Sequence, residues 1–442
     1  GALVSVGGYG VYIDGGAHEN AVEAGIDHCA KGGIYVGENI LNTRIEKCRI
    51  GKTAANGPYG IEVRNGALGT MIVNNEVDLH RSAGVYIAGV RDAANQSMAL
   101  HDLTMTRENG EIACACGIHL AGCAGVYLGD IWTFGGYDTG LIVDGGDSLN
   151  ITGTSLRFAF MNTLGALLLG VKDSVFTDVQ CEDNGAAPKG EADGKDGIFL
   201  EQCENLRFDG LSVSDNLGTG LAIFQSTGLR FETSTGCVNN GDSGLYMNNA
   251  SQVVFDSLFM HGNGAHGANF DNSAAVIVRS LFGIDNQQWS LHLSACKDFR
   301  LEEGQLYSVD GVGLGGIEIL DSTDVRIGGN AIKSVMFQAD TGYQAISARR
   351  SSGLEVTGVD FYSDEPGVPP PAPRVVPIVS LDNVTGSHFG PPAFGPASPR
   401  FLCDGDTQRD GIAMTGDCRG LDVRNTLLLS AIQQQPAAVP MR

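Results

Sequence analysis

A short phrase returns along this chain: glycine, aliphatic, any residue, aliphatic. It reads Gly10-Val11-Tyr12-Ile13, Gly33-Ile34-Tyr35-Val36, Gly60-Ile61-Glu62-Val63 and Gly84-Val85-Tyr86-Ile87. It continues at Gly117, Gly140, Gly165, Gly197, Gly220, Gly244, Gly267, Gly316 and Gly411. The first steps are 23, 27, 24 and 33 residues; between Gly197 and Gly267 they are 23, 24 and 23. A period in the low twenties, with occasional insertions, marks a solenoid whose units stack to bury a shared core.

Inside each unit the phrase alternates, so it reads as a short strand. A second strand follows about ten residues on, as in Leu206-Arg207-Phe208, Leu229-Arg230-Phe231, Phe299-Arg300-Leu301, Val325-Arg326-Ile327 and Leu421-Asp422-Val423, with turn residues between. No long amphipathic helical period is present. Stacked strands run parallel, and parallel crossovers are right-handed. The expected fold is all-β: a right-handed single-stranded parallel β-helix of about sixteen coils over residues 1–430, with a tail at 431–442. Val11, Ile34, Ile61, Val85, Ile118, Leu141, Ile198, Leu221, Leu245 and Ile317 are expected in one buried row. Asn216, Asn240 and Asn263 each lie four residues before a repeat glycine, and Asn286 four before Ser290. That offset predicts an amide ladder inside one turn.

The net charge of −23 excludes nucleic acid as a partner, because phosphate binding is driven by Lys and Arg. It favours a neutral glycan over an anionic one unless a cation bridges. Eleven cysteines show no metal-site spacing. Most read as small buried apolar residues, while Cys403 and Cys418 flank the last coil as a candidate disulfide. No apolar run approaches a membrane span. No signal peptide is evident, and the chain starts inside a coil without a cap, so a mature or excised segment, or a covering partner, is expected.

Insertions fall at Gly51–Tyr59, Arg91–Met98, Thr106–Cys116 and Asn184–Asp196. Loops grafted on a rigid scaffold often carry sites, so these are expected to wall a groove. Pro-rich stretches at Glu365–Pro373 and Pro391–Pro399 read as extended surface loops.

Aliphatic positions of the phrase point inward; the residue between them, and the one after, point outward. Two outward clusters result. The first holds Tyr35, Glu62, Arg64, Tyr86 and His119. The second holds Tyr246, Asn248, Asn269, Asp271, His292 and Glu318. Rings pack on pyranose faces, while carboxylates and amides bond hydroxyls. Two carboxylates also supply acid and base to a glycosidic bond. Asp271, His292 and Glu318 are the catalytic candidates, with His292 between the two acids and the more apolar acid acting as general acid. Tyr246, Asn248, Asn269, Glu62, Arg64, Tyr86 and His119 are the substrate-binding candidates. Outward Ile142, Leu167, Phe199 and Phe224 call for a cover, and a homotrimer is expected. Arg207, Arg230, Arg300 and Arg326 form a further ladder, three of them two residues before an acid.

The glycine phrase and the asparagine ladder resemble the right-handed parallel β-helix superfamily of pectate lyases, polygalacturonases, alginate lyases and epimerases, and phage tailspikes. No active-site signature of those enzymes is found, so the resemblance implies architecture rather than activity. The outward clusters, set on that architecture, lead to the expectation of an extracellular, cell-surface or virion-associated protein that binds and cleaves a polysaccharide, as hydrolase or lyase. The alternative is a non-enzymatic trimeric tailspike, adhesin or structural fibre. No cofactor is implied, apart from Ca²⁺ should the substrate be a uronic-acid polymer.

Overall fold

The computed structural model describes residues 2–4, 7–51, 57–65, 67–78, 80–90, 98–106, 114–135, 137–146, 148–185, 195–307, 313–328, 335–338, 344–357, 359–362, 379–390, 400–402, 412–420, 422–423 and 427–428. Most of the four insertions, the Pro-rich stretches, Gly411, Leu421, Cys403 and the tail lie outside these residues. So does the Cys403–Cys418 pairing. The chain divides into two compact units, Gly1–Glu232 and Thr233–Arg442.

Both units are all-β and parallel. In the first, nine glycine-phrase strands stack from Tyr9–Ile13 to Leu221–Phe224 among the described residues. In the second, seven stack from Leu245–Asn248 to Ile412–Thr415. The repeat glycine is dictated by this stacking. A Cβ on Gly33 would lie 2.4 Å from the carbonyl oxygen of Gly60, and one on Gly267 2.6 Å from that of Ser290. Any side chain there would push adjacent coils apart.

Sequence reading expected two strands per coil. The companion sheet instead covers two faces of the coil. Ser251–Phe255 and Leu258–His261 pair with the two halves of the single strand Ala274–Ile284. The third face escapes a search for short strands because one long strand bends across the corner.

Nine of the ten residues named for the core row are buried: Ile34, Ile61, Val85, Ile118, Leu141, Ile198, Leu221, Leu245 and Ile317. Val11 is half-buried; among the described residues its strand pairs on one side, with Gly32–Val36. Each fully buried aliphatic side chain contributes ~1.5–3 kcal/mol. Phe176, Phe208 and Phe231 stack at 5.2 Å per step in the first unit.

The amide ladder forms. In the second unit Asn240 Nδ2 donates to Asn263 Oδ1 at 3.0 Å, and Asn263 Nδ2 to Asn286 Oδ1 at 2.8 Å. In the first unit Asn184 Nδ2 donates to Asn216 Oδ1 at 2.8 Å. Asn184 was missed because an insertion separates it from Gly197. His80 holds the equivalent place, four residues before Gly84. Burial pushes its pKa down from 6.5 to about 3, against a backbone hydrogen bond at Ile50.

A second turn row is built from serine and cysteine. Ser226 Oγ accepts from the Cys203 amide at 3.0 Å, and Ser322 Oγ from that of Cys296 at 3.0 Å. Cys203 and Cys296 are buried, their thiols donating to backbone carbonyls, and burial pushes both up to about 11. They are structural, as expected of buried cysteine.

The arginine ladder pairs with the next coil. Arg207 meets Glu232 at 2.6 Å, and Arg326 meets Glu355 at 3.1 Å. The salt-bridged stripe expected from the sequence forms, with Glu232, two residues after Arg230, serving Arg207.

Candidate functional site

In the second unit the outward residues form two parallel rows. Register aligns Tyr246, Asn269, His292, Glu318 and Ser347 in one row. Asn248, Asp271, Ser294, Leu320 and Arg349 form the row beside it. The strand of His292 lies between those of Asp271 and Glu318, as expected. His292 shares a row with Glu318, and Asp271 sits two residues along on the neighbouring one. Two coil steps and that offset separate the Asp271 and Glu318 backbones by roughly 12 Å.

His292 Nδ1 lies 3.0 Å from Glu318 Oε2, with both side chains nearly nine-tenths buried. Arg349 reaches Glu318 Oε1 at 3.4 Å. The His266 ring lies 4.5 Å from that of His292, tilted by 30°. Burial works to raise the Glu318 pKa. The His292 hydrogen bond, with the charges of His292, Arg349 and His266, overcomes it and holds the carboxyl below its ordinary value. A carboxyl held below its ordinary value is charged at neutral pH, so Glu318 stands as an anchored carboxylate beside His292. His266 is pushed from 6.5 down to about 4 by burial and by the charge of His292, with Glu318 opposing. Its Nδ1 accepts a long contact from the Trp289 amide at 3.4 Å, so the neutral ring carries its proton on Nε2.

On the neighbouring row the Tyr246 hydroxyl donates to Asp271 Oδ2 at 3.2 Å, and Asn248 Nδ2 donates to the Tyr246 oxygen at 3.1 Å. Asn269 Oδ1 is buried and has no hydrogen-bond partner. The structure thus makes two pairs from the expected group, His292–Glu318 and Tyr246–Asp271.

In the first unit Tyr12, Tyr35, Glu62, Tyr86, His119, Ile142, Leu167, Phe199 and Ala222 share one row. Glu62, expected as an outward surface residue, is 3% exposed. The Tyr9 hydroxyl donates to its Oε2 at 2.8 Å and Arg64 Nε to its Oε1 at 2.6 Å, and both cover it. Tyr59 and Tyr86 stack at 4.5 Å, with the Arg64 guanidinium 4.8 Å from the Tyr86 centroid. His119 meets Tyr86 edge-on at 5.1 Å and Asp144 at 3.0 Å. All four first-unit candidates, Glu62, Arg64, Tyr86 and His119, belong to this one network.

A model of the right-handed β-helix region matches residues 116–282 and, overlapping, 196–361, together more than half of the chain. The chain belongs to the right-handed β-helix family. Compared with curated protein sequences, it has no match. Among solved structures this β-helix is similar to the A-module of mannuronan C-5 epimerase from Azotobacter vinelandii. Identity is 14% over 84% of this chain and 92% of that one, with a TM-score of 0.39. It is also similar to the enzymatically active domain of tailspike protein 2 of bacteriophage CBA120. There identity is 12% over 73% of this chain and 43% of that one, with a TM-score of 0.34. Both likenesses are weak, and the site is read from its own residues.

Three partners were missed from sequence: Tyr9 and Tyr59 in the first-unit cluster and His266 in the second-unit one. Each directly precedes a repeat glycine. That shared offset was available as a signal. Arg349 was missed for a different reason: Ala345 stands in place of the repeat glycine in its coil, so the phrase does not register there.

Proposed function

We propose that this β-helix binds an extracellular polysaccharide along the outward rows of its glycine-phrase strands and processes it at the second-unit site. The observation that carries this reading is the His292–Glu318 pair, backed by Arg349 and set against His266. A carboxylate that orients one imidazole nitrogen leaves the other to exchange a proton with substrate. His292 is the proton carrier and Glu318 its anchor. Asp271, beside Tyr246, is the second carboxylate, acting as base or nucleophile in hydrolysis. Tyr246, Asn248 and Asn269 bond the sugar. In the first unit Tyr86, Arg64 and His119 form a separate sugar-binding row, with the buried Glu62 holding Arg64 in place. A uronic-acid substrate adds a need for Ca²⁺ or for Arg349 to neutralise its carboxylate.

The test is incubation with a polysaccharide panel, reading both reducing ends and the absorbance of unsaturated products. New reducing ends alone identify a hydrolase; absorbance identifies a lyase. His292→Gln should lower either signal by ~10²–10⁴-fold. Activity retained in His292→Gln and Asp271→Asn would overturn the site.

A non-enzymatic spike or adhesin is the second reading, favoured by the apolar row Ile142, Leu167 and Phe199, which is half-exposed. It predicts a homotrimer by light scattering and no product with any polysaccharide. A monomer of 46.3 kDa would remove it.

A further inference from the structure

On the companion sheet of the first unit three aromatic side chains stand in solvent. Trp132 is 44% exposed, Phe134 39% and Phe160 43%. Trp132 and Phe134 alternate with inward Ile131 and Thr133 on strand Val126–Phe134. Phe160 follows strand Thr152–Ala159. The rings meet edge to face, Trp132 to Phe134 at 5.6 Å and Phe134 to Phe160 at 5.0 Å. Register sets Arg157 beside Trp132 and Gln180 beyond it, with Glu182 in the row of Phe134. The Arg157 guanidinium lies 5.8 Å from the Trp132 ring centroid, and its Nε donates to Glu182 Oε1 at 3.0 Å.

Phe160 carries a further sign. Its φ is +61°, in a turn row where the stacked neighbours are Gly135, Asp183 and Asp215. Glycine and aspartate tolerate this left-handed conformation; a bulky ring is strained there by ~1–2 kcal/mol. The ring lies outside the core, 43% exposed and packed edge-on against Phe134. Strain kept on an exposed side chain indicates a role for that side chain.

We infer that the Trp132–Phe134–Phe160 platform, flanked by Arg157, Gln180 and Glu182, is a second carbohydrate-binding site that takes a neutral oligosaccharide. The inference shares its ligand class with the proposed function and rests on that reading for nothing else. Rings offer apolar faces to pyranose C–H groups, and the flanking amide, guanidinium and carboxylate bond hydroxyls. Arg157 is neutralised by Glu182, and the chain carries −23 overall, so an anionic glycan is disfavoured. A second copy of the chain is disfavoured by area. The three rings together expose roughly 200–300 Å², against about 800 Å² per partner in a stable dimer.

The chain has two tryptophans, and Trp289 is only 6% exposed. Acrylamide quenching therefore reads Trp132. Neutral hexasaccharides of glucose, mannose or galactose should protect it saturably. Trp132→Ala should abolish the effect and weaken retention in neutral-polysaccharide affinity gels about tenfold, with the melting temperature within about 2 °C. Phe160→Gly should weaken retention while leaving stability equal or higher, which a structural ring would not do. Unchanged retention in both variants, with no sugar protecting Trp132, would overturn the site. Protection that grows with protein concentration without sugar would also overturn it, by showing self-contact. Glu318→Gln separates the two readings: lost turnover with intact Trp132 protection leaves this platform standing, and retained turnover without protection removes the platform alone.

Discussion

His292 and Glu318 hold the same register position on adjacent strands, and their side chains meet at 3.0 Å between Nδ1 and Oε2. The pair is set by coil stacking, so its geometry is as rigid as the sheet beneath it. Arg349, one coil further and one row across, keeps the carboxylate charged. A site of this kind needs little rearrangement before a proton moves.

Glu318→Gln removes the anchor and keeps the shape. Turnover of any processed polysaccharide should fall by at least ~10²-fold. The stability effect has a defined sign. The folded pKa of Glu318 is below its ordinary 4.5, so its contribution is complete above that pH and is lost as pH falls through the folded value. The wild type should exceed the variant by about 1–2 kcal/mol at pH 7, with the gap closing below pH 4.5. Urea titrations at pH 7 and pH 3 check this. A gap that widens in acid would contradict the assignment.

Much of this site was legible because outward residues repeat at fixed offsets from the glycine. Tyr246, Asn269, His292 and Glu318 lie two residues after Gly244, Gly267, Ser290 and Gly316; Asn248 and Asp271 lie four after. The two offsets put Asp271 one row aside from His292 and Glu318. Sorting them by offset would have given both rows. The pKa direction of Glu318 was not legible, because it depends on how deeply the pair is buried and on Arg349. Nor was the burial of Glu62, which needs Tyr9 and Arg64 to close over it from neighbouring positions. The fold read more easily than the site because stacking demands the same residue in every coil, while a site uses the coils that differ.

The asparagine ladder should be a major stabilising element of the second unit. Asn263 accepts from both the main-chain and side-chain amides of Asn240 and donates to Asn286 and the Cys237 carbonyl. Asn263→Leu keeps the volume and orphans these groups in a dry turn. The expected loss is about 3 kcal/mol, seen as a lower urea midpoint at unchanged slope. A loss under ~0.5 kcal/mol would show that water or backbone shifts replace the amide.

His80 makes the first unit acid-sensitive. Its folded pKa of about 3 lies below the ordinary 6.5, so the unfolded chain binds a proton that the folded chain refuses. Stability is full above pH 6.5 and falls progressively down to about pH 3. His80→Asn places an asparagine where Asn216 and Asn184 already serve in other coils. The variant should match the wild type within about 1 kcal/mol at pH 7 and surpass it at pH 4, by thermal melting. Parallel pH curves for the two proteins would exclude His80 as the titrating group.

His266 tests the electrostatics of the site directly. Burial is the main cause of its low pKa of about 4, the charge of His292 lowers it further, and Glu318 opposes both. Removing either neighbour should therefore move it in opposite directions. In His292→Gln the repelling charge is gone, and the His266 pKa should rise. In Glu318→Gln the attracting charge is gone, and it should fall below about 4. Side-chain NMR titration of the three proteins reads this without any substrate. Shifts of the same sign in both variants would mean that His266 does not feel the pair through charge, and that its 4.5 Å contact with His292 is packing alone. The predicted split would instead show three titratable groups acting as one coupled unit, which is what proton transfer at His292 requires.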